Sequence, residues 1–253
     1  MNALRFLQAH PVPVQAHFEN VLVLTYAFPE TTLRGFLPPG LCLDTYEKLG
    51  FLAIAMVQTR KMRPRFAPEL IGGDFFLTGY RIFTRFRTTS GKTLRGLRIL
   101  RSDTDSDFMA RWGNLLTHYN YQKASVECSK QAGLLEVKVH TSNAEADLHV
   151  RAHLSPKPAA LPEASPFPTL QVARRFGGPL PFTFDYETET HSIIRIQGVR
   201  QAWNPMPTRV EVLQNTFIDK PPFADAPPIL ASAFHLANVP YRWKRGVREH
   251  VSA

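Results

Sequence analysis

One lysine stands out as a residue that could bond covalently to a substrate. Lys123 lies in HYNYQKASVE (118–127), between a helical stripe that ends at Tyr119 and a following strand. A lysine forms a Schiff base with a carbonyl only through its neutral form, which its ordinary pKa of about 10.4 disfavours at neutral pH. Burial beside Tyr121 and Ala124, with arginines nearby, would lower the pKa of Lys123. The alternative is an ordinary surface lysine just past the end of a helix.

Arginines on a predicted β-hairpin could hold a carboxylate beside that amine. The two arms, FFLTGYRIFTRFRTT and KTLRGLRILRSD, flank the turn TSGK, and arginine alternates with apolar residues along both. Because a guanidinium forms two parallel hydrogen bonds with a carboxylate, we expect Arg81 and Arg98 to bind substrate, together with His118 and Tyr121. A sheet with one face in water would produce the same alternation.

Other common chemistries find little support in the sequence. It contains no glycine-rich phosphate loop, no Gly-x-Ser-x-Gly nucleophile elbow and no His-Glu-x-x-His motif. Cys42 and Cys128 stand far apart, which predicts neither a disulfide framework nor a metal site. His149 and His153 belong to a predicted strand, where a separation of four residues spans about 13 Å, too far for one ion. We therefore expect no metal and no cofactor.

Composition limits the partners and the location. The 253 residues carry a net charge of +9, which permits an anionic partner. The basic clusters RKMRPR and RWKRGVR are explained as well by solvated faces, so nucleic acid is not an expected partner. The N-terminus lacks the apolar core of a signal peptide, and no apolar run approaches a membrane span. We expect a cytoplasmic protein without membrane contact.

The hydrophobic pattern predicts a mainly β protein of the α+β class. VLVLTYAF and FLAIAMVQTRKM read as buried strands, and twenty-one prolines favour turns and edge strands over a helical bundle. One stretch, SDTDSDFMARWGNLLTHYN, predicts a helix with an N-cap among residues 103–106 that packs on a sheet. Its apolar stripe, which we expect to be core, consists of Phe108, Met109, Trp112, Leu115, Leu116 and Tyr119.

The order of motifs resembles the YqjF-like family of the acetoacetate decarboxylase-like superfamily. The first match is PPGLCLDT, in which Pro38 to Leu41, Leu43, Asp44 and Thr45 follow the family pattern, and the second is MRPR (62–65). LTGYRIF places Arg81 at the usual arginine of the next strand, and WNPMPTRVEVLQNT and PPILASAFHLANVPYRW resemble the closing strands. The resemblance implies a single domain over residues 1–253, built as an antiparallel β-barrel or cone with a central cavity.

The same resemblance bears on the lysine. Decarboxylases of the superfamily use a Schiff-base lysine activated by an adjacent lysine, after a Gly-aromatic-Pro motif. Lys123 falls at the place of the reactive lysine, whereas Ala124 occupies that of the second, and the glycine and proline are absent. The resemblance also implies self-association into a homo-oligomer.

Two functional hypotheses remain open at this stage. The first is a lyase or decarboxylase that acts on a small keto acid, or a related carbonyl compound, through a Schiff base on Lys123. The second is a non-catalytic protein of the same barrel fold that binds an apolar or anionic small molecule, which needs no activated lysine. The expected small-molecule partner is a carboxylate or carbonyl compound, and the second hypothesis also admits an apolar ligand.

Overall fold

A computed structural model describes residues 7–178, 180–201 and 203–251. The strands are β1 (Val14–Pro29), β2 (Leu41–Leu43), β3 (Leu49–Pro64), β4 (Gly73–Arg87), β5 (Thr93–Thr104), β6 (Tyr121–Gln131), β7 (Leu134–Thr141), β8 (Leu148–His153), β9 (Phe182–Glu187), β10 (Ser192–Arg200), β11 (Met206–Pro207), β12 (Arg209–Asn215), β13 (Ile229–Trp243) and β14 (Val247–His250). The helices are α1 (Glu30–Arg34), α2 (Asp107–Leu116) and α3 (Leu170–Gly177), and two short 3-10 turns cover Glu69–Ile71 and Phe223–Asp225.

The strands form one sheet that closes on itself. Its pairing runs β5-β9-β10-β13-β1-β3-β4 and returns to β5 through the predicted β4–β5 hairpin. A second run, β6-β7-β8-β12, extends from the far end of β5. The expected antiparallel barrel or cone contains two parallel pairs, β5–β6 and β5–β9, so the sheet is mixed. The mainly β class is confirmed.

Strand β3 shows why the buried strands lack a regular alternation of apolar and polar residues. Leu52, Ile54 and Met56 face a core shared with the β6–β8 extension, while Ala53 and Ala55 face the interior of the ring. Because both faces are buried, the strand reads as a nearly continuous apolar segment. The large side chains fill the outer core, and the small ones leave space inside the ring.

Helix α2 begins where the sequence indicates. The Ser106 hydroxyl accepts a hydrogen bond from the Met109 amide at 3.2 Å, which caps the helix. Met109 and Gly113 are buried against the sheet. The predicted stripe is too wide, however, because Phe108 is 66% exposed and Trp112 is 50% exposed. The helix packs against β5 and β6 through one side only, so the outer part of its apolar face stays in water.

Across the described ranges, no helix combines the length and apolar composition needed to span a bilayer.

Candidate functional site

A pocket with a cavity volume of about 80 Å³ lies inside the ring of strands and opens at one side to solvent. Its floor comes from alternate residues of three neighbouring strands: Val23 and Thr25 of β1, Ala53 and Ala55 of β3, and Arg81 and Phe83 of β4. Register places Thr25 opposite Ala53, and Ala53 opposite Arg81, in one row across the sheet. Since residues directly opposite share a face, small side chains surround the arginine and leave it room.

Arg81 is the central charged group of the pocket. A Cβ on Gly79 would lie 2.8 Å from the Arg81 Nε, so the guanidinium folds back over the bare backbone of that glycine. Burial lowers the pKa of Arg81, yet an arginine side chain keeps its charge inside proteins. Its Nε–H has no acceptor among the described residues, and no carboxylate of the described chain pairs with the guanidinium.

Arg200 is the second guanidinium of the pocket. Its Nη2 donates to the Leu180 carbonyl at 2.8 Å and to the Tyr241 hydroxyl at 3.5 Å, both neutral acceptors. The Trp203 ring lies 4.3 Å from Cζ of Arg200 and the Tyr241 ring 5.4 Å from it, so aromatic faces hold the cation. The Arg200 Nε–H and the Trp203 indole N–H both lack an acceptor in the described chain.

The walls of the pocket are apolar. They consist of Leu97, Leu180, Pro205, Phe234 and Leu236, in addition to the floor residues. The mouth is bordered by the end of α3, where Arg174 donates to the Asn204 side-chain oxygen at 2.8 Å. Hydrogen-bond donors therefore converge on an otherwise hydrocarbon-lined space, which is the chemistry of a site for an organic anion.

A buried ion pair fixes α3 over this mouth. Asp44 is fully buried, and its two carboxylate oxygens accept from Arg85 and Arg95, each at 2.5 Å. Arg95 also donates to the Phe176 carbonyl at 2.8 Å and lies 4.8 Å from the Phe176 ring centroid. Because Phe176 belongs to α3, the carboxylate of Asp44 couples the β4–β5 hairpin to the helix beside the pocket.

Tyrosines and a carboxyl group lie deeper in the same interior. Burial raises the pKa of Tyr119 and Tyr121 above the usual tyrosine range, so both hydroxyls stay neutral. Asp185 is 1% exposed, neither of its oxygens accepts a hydrogen bond from a described residue, and burial raises its pKa to about 7 against the opposing effect of Arg98. Arg98 is thus engaged electrostatically with Asp185 rather than with the pocket.

Of the residues predicted to bind substrate, the structure places only Arg81 in the pocket lining. Tyr121 is buried and raises the pKa of Arg81 electrostatically. Its backbone amide donates a 2.7 Å hydrogen bond to the side-chain oxygen of Asn114. Arg98 belongs to the Asp185 pair. His118 lies half-buried in the loop between α2 and β6, outside the described lining.

Lys123 lies at the protein surface. Its Nζ donates to the Asp105 carbonyl at 2.7 Å and pairs with Asp107 Oδ2 at 2.8 Å, with the side chain 47% exposed. Lys123 lies one strand repeat, about 6.6 Å, beyond Tyr121 on the same face, beside the N-terminal end of α2, while Ala124 on the opposite face is buried. The expected apolar setting is therefore absent, and this position disfavours the Schiff-base role.

Sequence reasoning missed Arg200 and Trp203. The available signal was weak: the sequence places a glycine two residues before an arginine four times, at 79–81, 96–98, 198–200 and 246–248, and the first and third of these arginines line the pocket. At Gly198, as at Gly79, the absent side chain makes room for a neighbour, because a Cβ there would lie 2.0 Å from the Tyr241 hydroxyl. That two such strands face one space follows only from the closed sheet.

Comparison with protein families gives one match over most of the chain. Residues 15–243 fit the DUF2071 family, described as an uncharacterized conserved protein. The chain therefore belongs to the DUF2071 family; the narrower YqjF-like assignment has no separate support. No curated protein matches the chain in sequence.

Solved structures share its fold at low sequence identity. Acetoacetate decarboxylase from Legionella pneumophila superposes with a TM-score of 0.61 at 11% identity, over 94% of this chain and 87% of that one. An acetoacetate decarboxylase-like enzyme from Sphingomonas wittichii gives 0.61 at 10% identity, over 96% and 94%. The enduracididine biosynthesis enzyme MppR, solved with pyruvate, gives 0.59 at 12% identity, over 94% and 90%. The chain thus has the acetoacetate decarboxylase-like fold.

Proposed function

We propose that this DUF2071 protein binds a small organic anion, a carboxylate with an apolar body, in the pocket at Arg81. The observation that carries the proposal is the guanidinium of Arg81, which lies in an apolar enclosure without a carboxylate partner in the described chain. A guanidinium in an apolar, partly closed site loses part of its hydration, a cost that a bound anion would offset. MppR, of the same fold, was solved with the small carboxylate pyruvate, which supports this class of ligand.

The proposed binding does not require an imine between a lysine and the ligand. The chain has nine lysines, and none is among the described residues that line the pocket. Lys123 is held at the surface by Asp107. The keto-acid lyase that uses a Schiff base is therefore supported less well than the binding protein, which requires only the arginines and the apolar walls.

Two variants test the proposal at the same residue in different ways. Arg81→Gln removes the charge, and we expect it to weaken binding of pyruvate or a longer keto acid about ten- to a hundredfold, as the loss of a charge-assisted hydrogen bond implies. Gly79→Ala keeps the charge, but its Cβ would displace the guanidinium, so we expect about tenfold weaker binding. Isothermal titration calorimetry against a panel of 2-oxo acids measures both.

Matched controls separate the pocket from general effects. Arg87→Gln removes an exposed arginine of the same strand, and Gly73→Ala adds a methyl group where nothing lies within 4 Å. Both controls should bind like the unchanged protein. If no carboxylate binds, or if Arg81→Gln binds as tightly as Arg87→Gln does, the proposed function is wrong.

A further inference from the structure

The charges around the pocket do not balance. Its described lining contains three guanidinium groups, those of Arg81, Arg174 and Arg200, and no aspartate or glutamate. Arg200 and Arg174 bond only to neutral oxygens, from Leu180 and Tyr241 and from Asn204. The electrostatic influence of Arg200 on Arg81 is repulsive, since it lowers the pKa of Arg81. Arg174 is exposed, so the two half-buried guanidiniums, those of Arg81 and Arg200, share the inner pocket without a carboxylate partner in the described chain.

Many arginines elsewhere in the described chain have a carboxylate partner, unlike Arg81 and Arg200. Several arginines outside the pocket pair with carboxylates: Arg85 and Arg95 with Asp44, Arg101 with Asp103, and Arg195 with Glu249. The fold thus supplies acidic partners where arginines serve the structure. Asp185 lies outside the described pocket lining, and the charge that acts on it is that of Arg98, so it is not a counterion of Arg81 and Arg200.

A single negative charge would leave one of these cations uncompensated. Because Coulomb attraction strengthens as the surroundings become less polar, a second negative charge on the ligand adds a large gain here that it would not add in water. We propose that the ligand is a small organic dianion, a dicarboxylate or a phosphate monoester, whose charges are shared between Arg81 and Arg200. This inference rests on the proposed function and narrows its ligand class.

Chain-matched probes test the charge of the ligand. Pentanoate, glutarate and butyl phosphate have similar lengths and carry one charge, two separated charges and two charges on one group at pH 8. Calorimetric titration at low salt should give glutarate or butyl phosphate at least about tenfold tighter binding than pentanoate. Tighter binding of glutarate would indicate a ligand with two separate carboxylates. Tighter binding of butyl phosphate would indicate a ligand with a phosphoryl group.

Variants at Arg200 show whether the second cation causes the preference. Arg200→Gln should bring the dianion within about threefold of pentanoate, while Arg200→Lys, which keeps the charge, should retain most of the preference. Arg87→Gln serves as the control, and melting temperatures confirm that each variant folds. Retention of the full preference in Arg200→Gln would contradict the assignment of the second charge to this residue.

These experiments distinguish failure of the dianion inference from failure of the proposed anion site. If pentanoate binds as tightly as both dianions and Arg81→Gln weakens it, the dianion is wrong and the proposed anion site stands. If a 2-oxo acid of the panel binds and none of the three probes does, the dianion is wrong and the proposed anion site stands; if neither the probes nor any 2-oxo acid binds, both proposals are wrong.

Discussion

The buried carboxyl of Asp185 predicts that stability falls as the pH rises toward neutrality. Its ordinary pKa is 3.8, and burial raises the pKa in the folded protein to about 7. Between these values the folded protein holds a proton that the unfolded chain has released, so the free energy of unfolding decreases as pH rises through this window. Each pH unit corresponds to about 1.4 kcal/mol, so the whole window lowers stability by about 4 kcal/mol.

The substitution Asp185→Asn removes this titration and keeps the shape of the neutral acid. Urea denaturation at intervals from pH 4 to pH 8, followed by tryptophan fluorescence, gives the free energy of unfolding of both proteins. We expect the difference between Asp185→Asn and the unchanged protein to grow in favour of the variant by about 4 kcal/mol across this range. Taking the difference cancels other groups that titrate there, including Asp103, whose pKa burial raises to about 6.

The control is Asp225→Asn, because Asp225 is exposed on a 3-10 turn. Its stability should follow that of the unchanged protein at every pH. Parallel curves for Asp185→Asn and the unchanged protein would refute the reasoning, because Asp185 would then ionise alike in the folded and unfolded states.

Three further outcomes are expected. Borohydride reduction with pyruvate should leave Lys123 without a mass increase in intact-protein mass spectrometry, and a reduced adduct on Lys123 would restore the Schiff-base hypothesis. Arg81→Met should raise the free energy of unfolding by about 1–3 kcal/mol in urea denaturation without ligand, because it removes an unpaired charge from an apolar site; a lower value would contradict the unpaired state of Arg81. Asp44→Asn should cost about 2–3 kcal/mol, since it removes charged hydrogen bonds from Arg85 and Arg95; a cost below about 0.5 kcal/mol would show that this pair contributes little.

Several features were predictable because they depend on neighbours in the chain. The β4–β5 hairpin followed from alternation around a turn, and helix α2 followed from helical spacing after a capping serine at Ser106. Phe108 and Trp112 were misplaced because periodicity marks one face of a helix but not how much of that face the sheet covers. The family resemblance placed Arg81 at a characteristic strand position, and the structure places it in the pocket.

The burial of Lys123 could not be predicted from its neighbours in the chain. Its segment was correctly predicted to follow the helix, but the burial of a side chain depends on which face of the strand is covered at that position, and Ala124 is buried where Lys123 is not. The amine reaches Asp107 at the start of α2 instead of an apolar interior.

The sequence by itself determined the strand-rich class, the α2 helix, the family motifs and Arg81, because these depend on residue type and short-range spacing. The tertiary structure alone decided that Arg81 and Arg200, from strands far apart in the chain, share one space. Closure of the sheet through β4–β5 and β10–β13 brings their glycine-backed positions to the same interior. Spacing along a chain carries no information about which strand faces meet, and the charge of the pocket follows from that meeting.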